Sequence, residues 1–309
     1  MSVLRNIASD PKLVYYYSQK AVRSVWLRRW AGNAVARLVG KRDSSGDGSG
    51  DTEASRQVAQ ELATEGISFL HSLYLSPAEL AEVFQQLAGK PVLDHYNRET
   101  TFLVEQGIPP PFTKVWYSTP DVLACAPLLR LANDPLILNA VSQALGARPT
   151  IATFQAWWTL GENNADGAQT HYDDIYHRDV DDWRFIKLFV YLTDTTRPRG
   201  AHCFIRKSHV SPQLTRRGAI SDSEVAAAFP QDDVLTIEGD AGTVFLENTW
   251  GVHRQLLATE GRRLVFSVLY SLCPLVPWRP GPATLPLPLG LDPYTNRVFF
   301  TSTASVRQS

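Results

Sequence analysis

Disulfides, membrane spanning and nucleic-acid binding are each argued against by something that this 309-residue chain has little of. Cysteine is scarce: Cys125, Cys203 and Cys273 are odd in number, far apart and without a CxxC pair. That usage fits a reducing compartment better than a disulfide framework. Long apolar runs are missing, and no stretch approaches the roughly 20 residues that a spanning helix needs. The N-terminus lacks the charged start, apolar centre and small-residue cleavage site of a secretory signal, so a cytoplasmic location is the expectation. Charge imbalance is missing too. The 30 Lys plus Arg residues face 31 Asp plus Glu, and nothing in that balance advertises nucleic acid. A small-molecule substrate is the better expectation, while oligomeric state is not readable.

What is present suffices for one sizeable core, with 44% hydrophobic and 10% aromatic residues. From Lys12 to Arg42 the chain is basic and aromatic together, with no acid inside, and Val22, Trp26, Trp30, Ala34 and Leu38 recur at roughly helical spacing. Two readings compete there. One is a helix on an acidic membrane surface or partner; the other, which we prefer, is a helix packed on the main domain with its charges in solvent. The small polar run Asp43–Asp51 reads as a linker. This divides the chain into a basic helical extension (1–42), a linker (43–52) and a main domain (53–309).

Within the main domain, helices are expected over Glu53–Glu65, from Pro77 to about Ala88, over Pro120–Leu131 and over Asp134–Leu145. Ser76, Pro77 and Glu79 supply an N-cap, a first-turn proline and a capping-box acid. A short strand is expected at Gly66–Leu70. After Pro149 the pattern turns to strands: Thr150–Leu160, Phe185–Leu192, Ala201–Ile205, Asp233–Glu238, Gly242–Leu246, His253–Leu257 and Arg263–Leu272. Gly, Pro and Asp turns separate them without alternating helices, so the expected class is α+β, with a jelly-roll core over about 150–272 flanked by N-terminal helices. The stretch Pro274–Pro288 reads as a wrap over the surface.

In extended chain, His171 and Asp173 point to one side and could grip one ion. His253, far downstream, could complete two histidines and a carboxylate, the facial set that holds non-haem Fe(II) and leaves a face open. A His-x-Asp pair alone is common. The surrounding acids Asp173, Asp174, Asp179, Asp181 and Asp182 read equally well as a solvated loop, with His177 an exposed side chain in it. His202 and His209 read as structural hydrogen-bonders, and Cys203 beside His202 faces the opposite way on a strand.

The ordered series Thr170-His171-Tyr172-Asp173-Asp174, Trp183 to Asp194, Gly200-Ala201-His202, Lys207-Ser208-His209, Gly239 to Phe245, Gly251-Val252-His253 and Gly261-Arg262-Arg263 resembles the phytanoyl-CoA dioxygenase family of Fe(II)- and 2-oxoglutarate-dependent oxygenases. The resemblance spans roughly Thr150–Leu272. It implies a double-stranded β-helix, with His171, Asp173 and His253 as iron ligands and O2 and 2-oxoglutarate as co-substrates. A basic residue on the strand after the distal histidine then anchors the far carboxylate of 2-oxoglutarate through paired hydrogen bonds. That role falls on Arg263, with Arg262 as its rival. Lys114 is a further candidate for that carboxylate, and Trp157 and Tyr172 are candidates for substrate contact. The metal carboxylate favours oxygenation over halogenation, which needs a small residue at that place. The chain departs from the family's usual turns at Arg199-Gly200 and Arg206-Lys207. The implied activity is hydroxylation of an aliphatic C–H bond with release of succinate and CO2. Rival readings are a cupin-like barrel that binds a metal or ligand without turnover, and a zinc hydrolase on the same three ligands.

Overall fold

Helical segments come first along the chain because the capping chemistry is concentrated there. The structure, a computed structural model, describes residues 13–40, 52–73, 75–94, 99–164, 170–274 and 285–301. Helix α1 spans Leu13–Ala21 and α2 Val25–Val39, the latter opened by Ser24, whose hydroxyl accepts from the Leu27 amide. Helix α3 (Glu53–Thr64) starts on a capping box between Thr52 and Ser55, and strand β1 (Ile67–Phe69) follows. Helix α4 (Pro77–Leu87) begins on the expected Ser76–Glu79 box. Three short strands come next, β2 (Val92–Asp94), β3 (Thr101–Phe102) and β4 (Lys114–Tyr117).

The single helix expected over Pro120–Leu131 is two, α5 (Thr119–Leu123) and α6 (Ala126–Ala132), with Pro127 in the first turn of the second. Proline cannot continue a helix it would sit inside, so the chain restarts there. Helix α7 (Pro135–Leu145) is capped by Asp134 and ends on Gly146 in the left-handed conformation at φ 73°. The β-rich half holds β5 (Thr150–Leu160), β6 (Phe185–Tyr191), β7 (His202–Ile205), the short helix α8 (Asp222–Ala228), β8 (Val234–Ile237), β9 (Val244–Glu247), β10 (His253–Gln255) and β11 (Arg262–Ser271). Strands β12 (Leu285–Pro286) and β13 (Phe300–Thr301) form a separate parallel pair. The expected linker at Asp43–Asp51 and residues 275–284 of the Pro-rich stretch lie outside the described residues.

Two sheets face each other as a jelly roll. The large one runs β1-β9-β6-β11-β5-β4-β2-β3 and the small one β10-β7-β8. Strands β2 to β4 extend the large sheet beyond the expected core; they are too short to show a period of two. The outward residues of the large sheet, including Leu188, Leu246, Phe266 and Phe154, bury under Leu62 of α3, Val83 of α4 and Val141 of α7. Phe189, Tyr191, Phe245 and Val265 point inward and meet Phe204 and Ile237 of the small sheet. This alternation with a period of two is what commits one face to the helices and the other to the barrel interior.

The N-terminal helices pack on the domain. Tyr15 donates to Asp182 Oδ1 at 2.6 Å. Buried Arg28 donates to the carbonyls of Gln19 (2.8 Å) and Asp182 (2.6 Å) and lies 4.0 Å over the Trp250 ring. Gly32 lets α2 approach Arg184, where a Cβ would come within 2.9 Å of the side chain.

Candidate metal centre

Six residues after the expected ligand pair, the chain Tyr176–Asp179 runs extended alongside the small sheet. His177 and His253 exchange both backbone hydrogen bonds at 3.0 Å, Ile220 donates to the Tyr176 carbonyl at 2.8 Å, and the Asp179 amide donates to Thr249 at 2.9 Å. The segment thus acts as an added strand beside β10. Side chains alternate along it. His177 and Asp179 turn inward, while Arg178 between them is buried the other way, donating to the carbonyls of Leu214, Trp250, Ser208 and Gln213 at 2.5–2.9 Å.

Asp179 stands between two imidazoles. Its Oδ1 is 3.6 Å from Nε2 of His177 and its Oδ2 is 3.5 Å from Nε2 of His253. Among the described residues, His177, Asp179 and His253 form the group whose ligand atoms lie within 4.8 Å of one another. Nδ1 of His177 meets the Ile175 carbonyl at 2.7 Å and Nδ1 of His253 meets the Gly251 carbonyl at 3.0 Å. A carbonyl can only accept, so each Nδ1 carries a proton, and Nε2 is the ring atom that each imidazole turns towards the carboxylate. Two imidazole nitrogens and a carboxylate oxygen suit a divalent transition metal far better than calcium or magnesium.

Charge is arranged to match. Lys187 on β6 reaches Asp179 Oδ2 at 2.6 Å and Asp181 at 3.3 Å. Burial opposes ionisation of Asp179, but Lys187 and the imidazoles prevail and hold its carboxyl well below the usual range. Burial, with His253 adding to it, pushes the His177 imidazole down to about 4, so it stays neutral and able to ligate at neutral pH. Behind His253, the ring of His202 stacks at 5.6 Å, and its Nε2 lies 2.7 Å from Oε2 of the fully buried Glu247. His202 therefore belongs to the barrel interior.

The structure corrects the expected grouping. His171 and Asp173 are not brought to His253, because Tyr172–Asp174 is a 3-10 turn and period-two alternation does not hold across it. Asp174 closes that turn by accepting from the His171 amide at 2.7 Å. The His171 ring meets the Thr113 hydroxyl at 2.6 Å, and the Asp173 side chain, 58% exposed, lies 3.7 Å from Lys114. His177, read as exposed, is buried. The missed signal was the second His-x-Asp at 177–179, flanked by Ile175, Tyr176 and Val180, which are strand-forming types.

The two arginines separate cleanly. Arg262 is exposed and paired with Glu162 at 2.5 Å. Arg263 is buried, donates to the Gly200 carbonyl and Gln255 Oε1, and leaves its Nε without a partner. In the sheet register Lys114, Thr159 and Arg263 stand side by side on β4, β5 and β11. Lys114 is buried and spends its charge on Asp174 at 2.9 Å. Tyr172 is exposed, with its ring 4.7 Å from that of His177. Trp157 faces the interior and stacks on Trp116 at 6.4 Å.

Residues 124–254 match the family model for Phytanoyl-CoA dioxygenase (PhyH). No curated protein matches the chain. Among solved structures, the chain is similar to the epimerase SnoN in complex with Fe3+, alpha ketoglutarate and nogalamycin RO (17% identity, 70% of this chain and 83% of that one, TM-score 0.47). It is also similar to HygX from Streptomyces hygroscopicus with nickel, 2-oxoglutarate and hygromycin B bound (18%, 70% and 86%, 0.46) and to EctD from S. alaskensis in its apoform (17%, 85% and 91%, 0.49).

Proposed function

From the match of residues 124–254 to the phytanoyl-CoA dioxygenase family model, we propose an Fe(II)- and 2-oxoglutarate-dependent oxygenase that hydroxylates an aliphatic C–H bond of a small organic molecule. The observation that carries this reading is the convergence of the Nε2 atoms of His177 and His253 on the one carboxylate of Asp179. In the balanced reaction, substrate, O2 and 2-oxoglutarate give hydroxylated substrate, succinate and CO2.

His177 and His253 would hold iron through Nε2 and Asp179 through one oxygen, and iron with 2-oxoglutarate would supply the oxidising power drawn from O2. The protein's own part is orientation. Backbone carbonyls fix both imidazoles, and Lys187 fixes the carboxylate by occupying Oδ2. Arg263 takes the far carboxylate of 2-oxoglutarate. Its hydrogen-bond partners, the Gly200 carbonyl and the Gln255 amide oxygen, are both neutral, and a buried guanidinium so placed is matched to an incoming carboxylate by geometry and charge. Lys114, already neutralised by Asp174, secures the Tyr172–Asp174 turn instead. Tyr172, exposed against His177, stands where a substrate would approach, and Trp157 furnishes the interior wall. With a carboxylate present at Asp179, oxygenation is favoured over halogenation.

Anaerobic addition of Fe(II) and 2-oxoglutarate should give a visible charge-transfer band, and admitting air should yield succinate in amounts that depend on both additions. A protein that shows neither band nor succinate is not this enzyme.

A further inference from the structure

Helix α2 has two working faces. Arg28, Gly32 and Ala36 are buried against the domain. On the opposite side Trp26, Trp30, Ala34 and Leu38 recur every fourth residue along one stripe, as helical geometry requires. Trp26 is 70% exposed, Trp30 63% and Leu38 86%, with Leu27 beside them at 44%. Of the nine exposed large hydrophobics among the described residues, five lie in α1 and α2. Single exposed apolar residues are ordinary, but a concentrated patch marks a contact surface. Arg23, Arg29 and Arg37 are exposed on the same helix or its start, and Lys20 lies 4.0 Å over the Tyr16 ring. No acid occurs between Lys12 and Arg42.

We propose that the outer face of α2 lies on an anionic lipid bilayer, with Trp26, Leu27, Trp30 and Leu38 in the headgroup boundary and Arg23, Arg29 and Arg37 among the lipid phosphates. Charge complementarity chooses the occupant. A second copy would bring cations against cations, whereas an anionic surface attracts every exposed charge of the helix. Tryptophan and arginine are also the side chains that span a wet-to-apolar boundary, each offering an apolar body and a polar tip. The helix is convex and presents no groove for a peptide, and its 15 residues lie flat in the manner of an interfacial helix. Through Arg28, the inner face of the same helix holds Asp182 and Trp250, so binding would bring the candidate metal centre close to the bilayer. The inference uses none of the metal-site residues and can fail or hold independently of the oxygenase reading.

The test is sedimentation of the full chain with phosphatidylcholine vesicles containing about one-third phosphatidylserine, beside pure phosphatidylcholine vesicles. Binding is expected to the anionic vesicles only, to weaken with added salt, and to shift tryptophan emission to the blue. Arg29→Ala and Arg37→Ala should each weaken binding about fivefold, and Trp26→Ser with Trp30→Ser should abolish both binding and emission shift. All four positions are exposed, so these variants fold, which unchanged thermal unfolding verifies. Equal binding to both vesicle types, no binding to either, or full binding by the tryptophan variant would overturn the proposal. So would a dimer, seen by sedimentation velocity, that the tryptophan variant alone dissolves while vesicles go unbound.

Discussion

Replacing Lys187 with methionine keeps the length of the side chain and removes one buried charge. The ammonium touches two carboxylates, 2.6 Å from Asp179 and 3.3 Å from Asp181, at a site where its own side chain is 21% exposed. Breaking such a partly buried pair from one side leaves uncompensated negative charge and costs about 3–5 kcal/mol. For a chain of this size that corresponds to a fall in Tm of about 5–8 °C. The assay is differential scanning calorimetry of metal-free protein in the presence of a chelator. A second variant sharpens it: Lys187→Met combined with Asp179→Asn removes charges of both signs and should be more stable than Lys187→Met alone, a coupling that a double-mutant cycle reads directly. A Tm within about 2 °C of the parent, or strictly additive costs in the cycle, would refute the assignment of Lys187 as the counter-charge that holds the metal carboxylate.

Two further predictions concern the same interior. Arg263→Ala should raise the apparent Kd for 2-oxoglutarate at least tenfold, the loss of about 1.4 kcal/mol or more expected of a charge-assisted contact, while exposed Arg262→Ala stays within about twofold; equal effects in isothermal titration would contradict the anchor. The His177 imidazole, held down at about 4 against an ordinary 6.5, resists a proton that the unfolded chain accepts. From this group the metal-free protein should therefore lose stability as pH falls from about 6.5 towards 4, by about 3 kcal/mol over that window. His177→Gln should flatten that part of the curve in denaturant titrations, and an unchanged slope would count against the burial of His177.

Long strands and well-capped helices were legible in the sequence. Thr150–Leu160 was expected with the bounds it has, and Ser76-Pro77 and Gly146 mark helix ends where the chain reverses. Short strands such as Lys114–Tyr117 were not, since their identity comes from pairing with Thr159 and Trp157 on β5. His253 and the inward turn of Arg263 came through the order of motifs, although alternation alone left Arg262 open. The expected pair and the pair that meets His253 differ because two His-x-Asp runs lie six residues apart in an acidic stretch. Their choice depends on backbone conformation: a 3-10 turn at Tyr172–Asp174 spoils one run, and pairing with His253 preserves the other. The N-terminal helices pack on the domain as preferred, yet the same helix α2 also shows an outward apolar stripe that periodicity could not assign to either side.

His177, Asp179 and His253, not His171 and Asp173, are the proposed metal centre. Anaerobic titration of Fe(II) with 2-oxoglutarate into single variants, followed by the visible charge-transfer band, tests it most directly. His177→Ala and His253→Ala should lose the band, while His171→Ala and Asp173→Asn should keep it at parental intensity. Loss of the band in His171→Ala with its retention in His177→Ala would place the iron on the other His-x-Asp run.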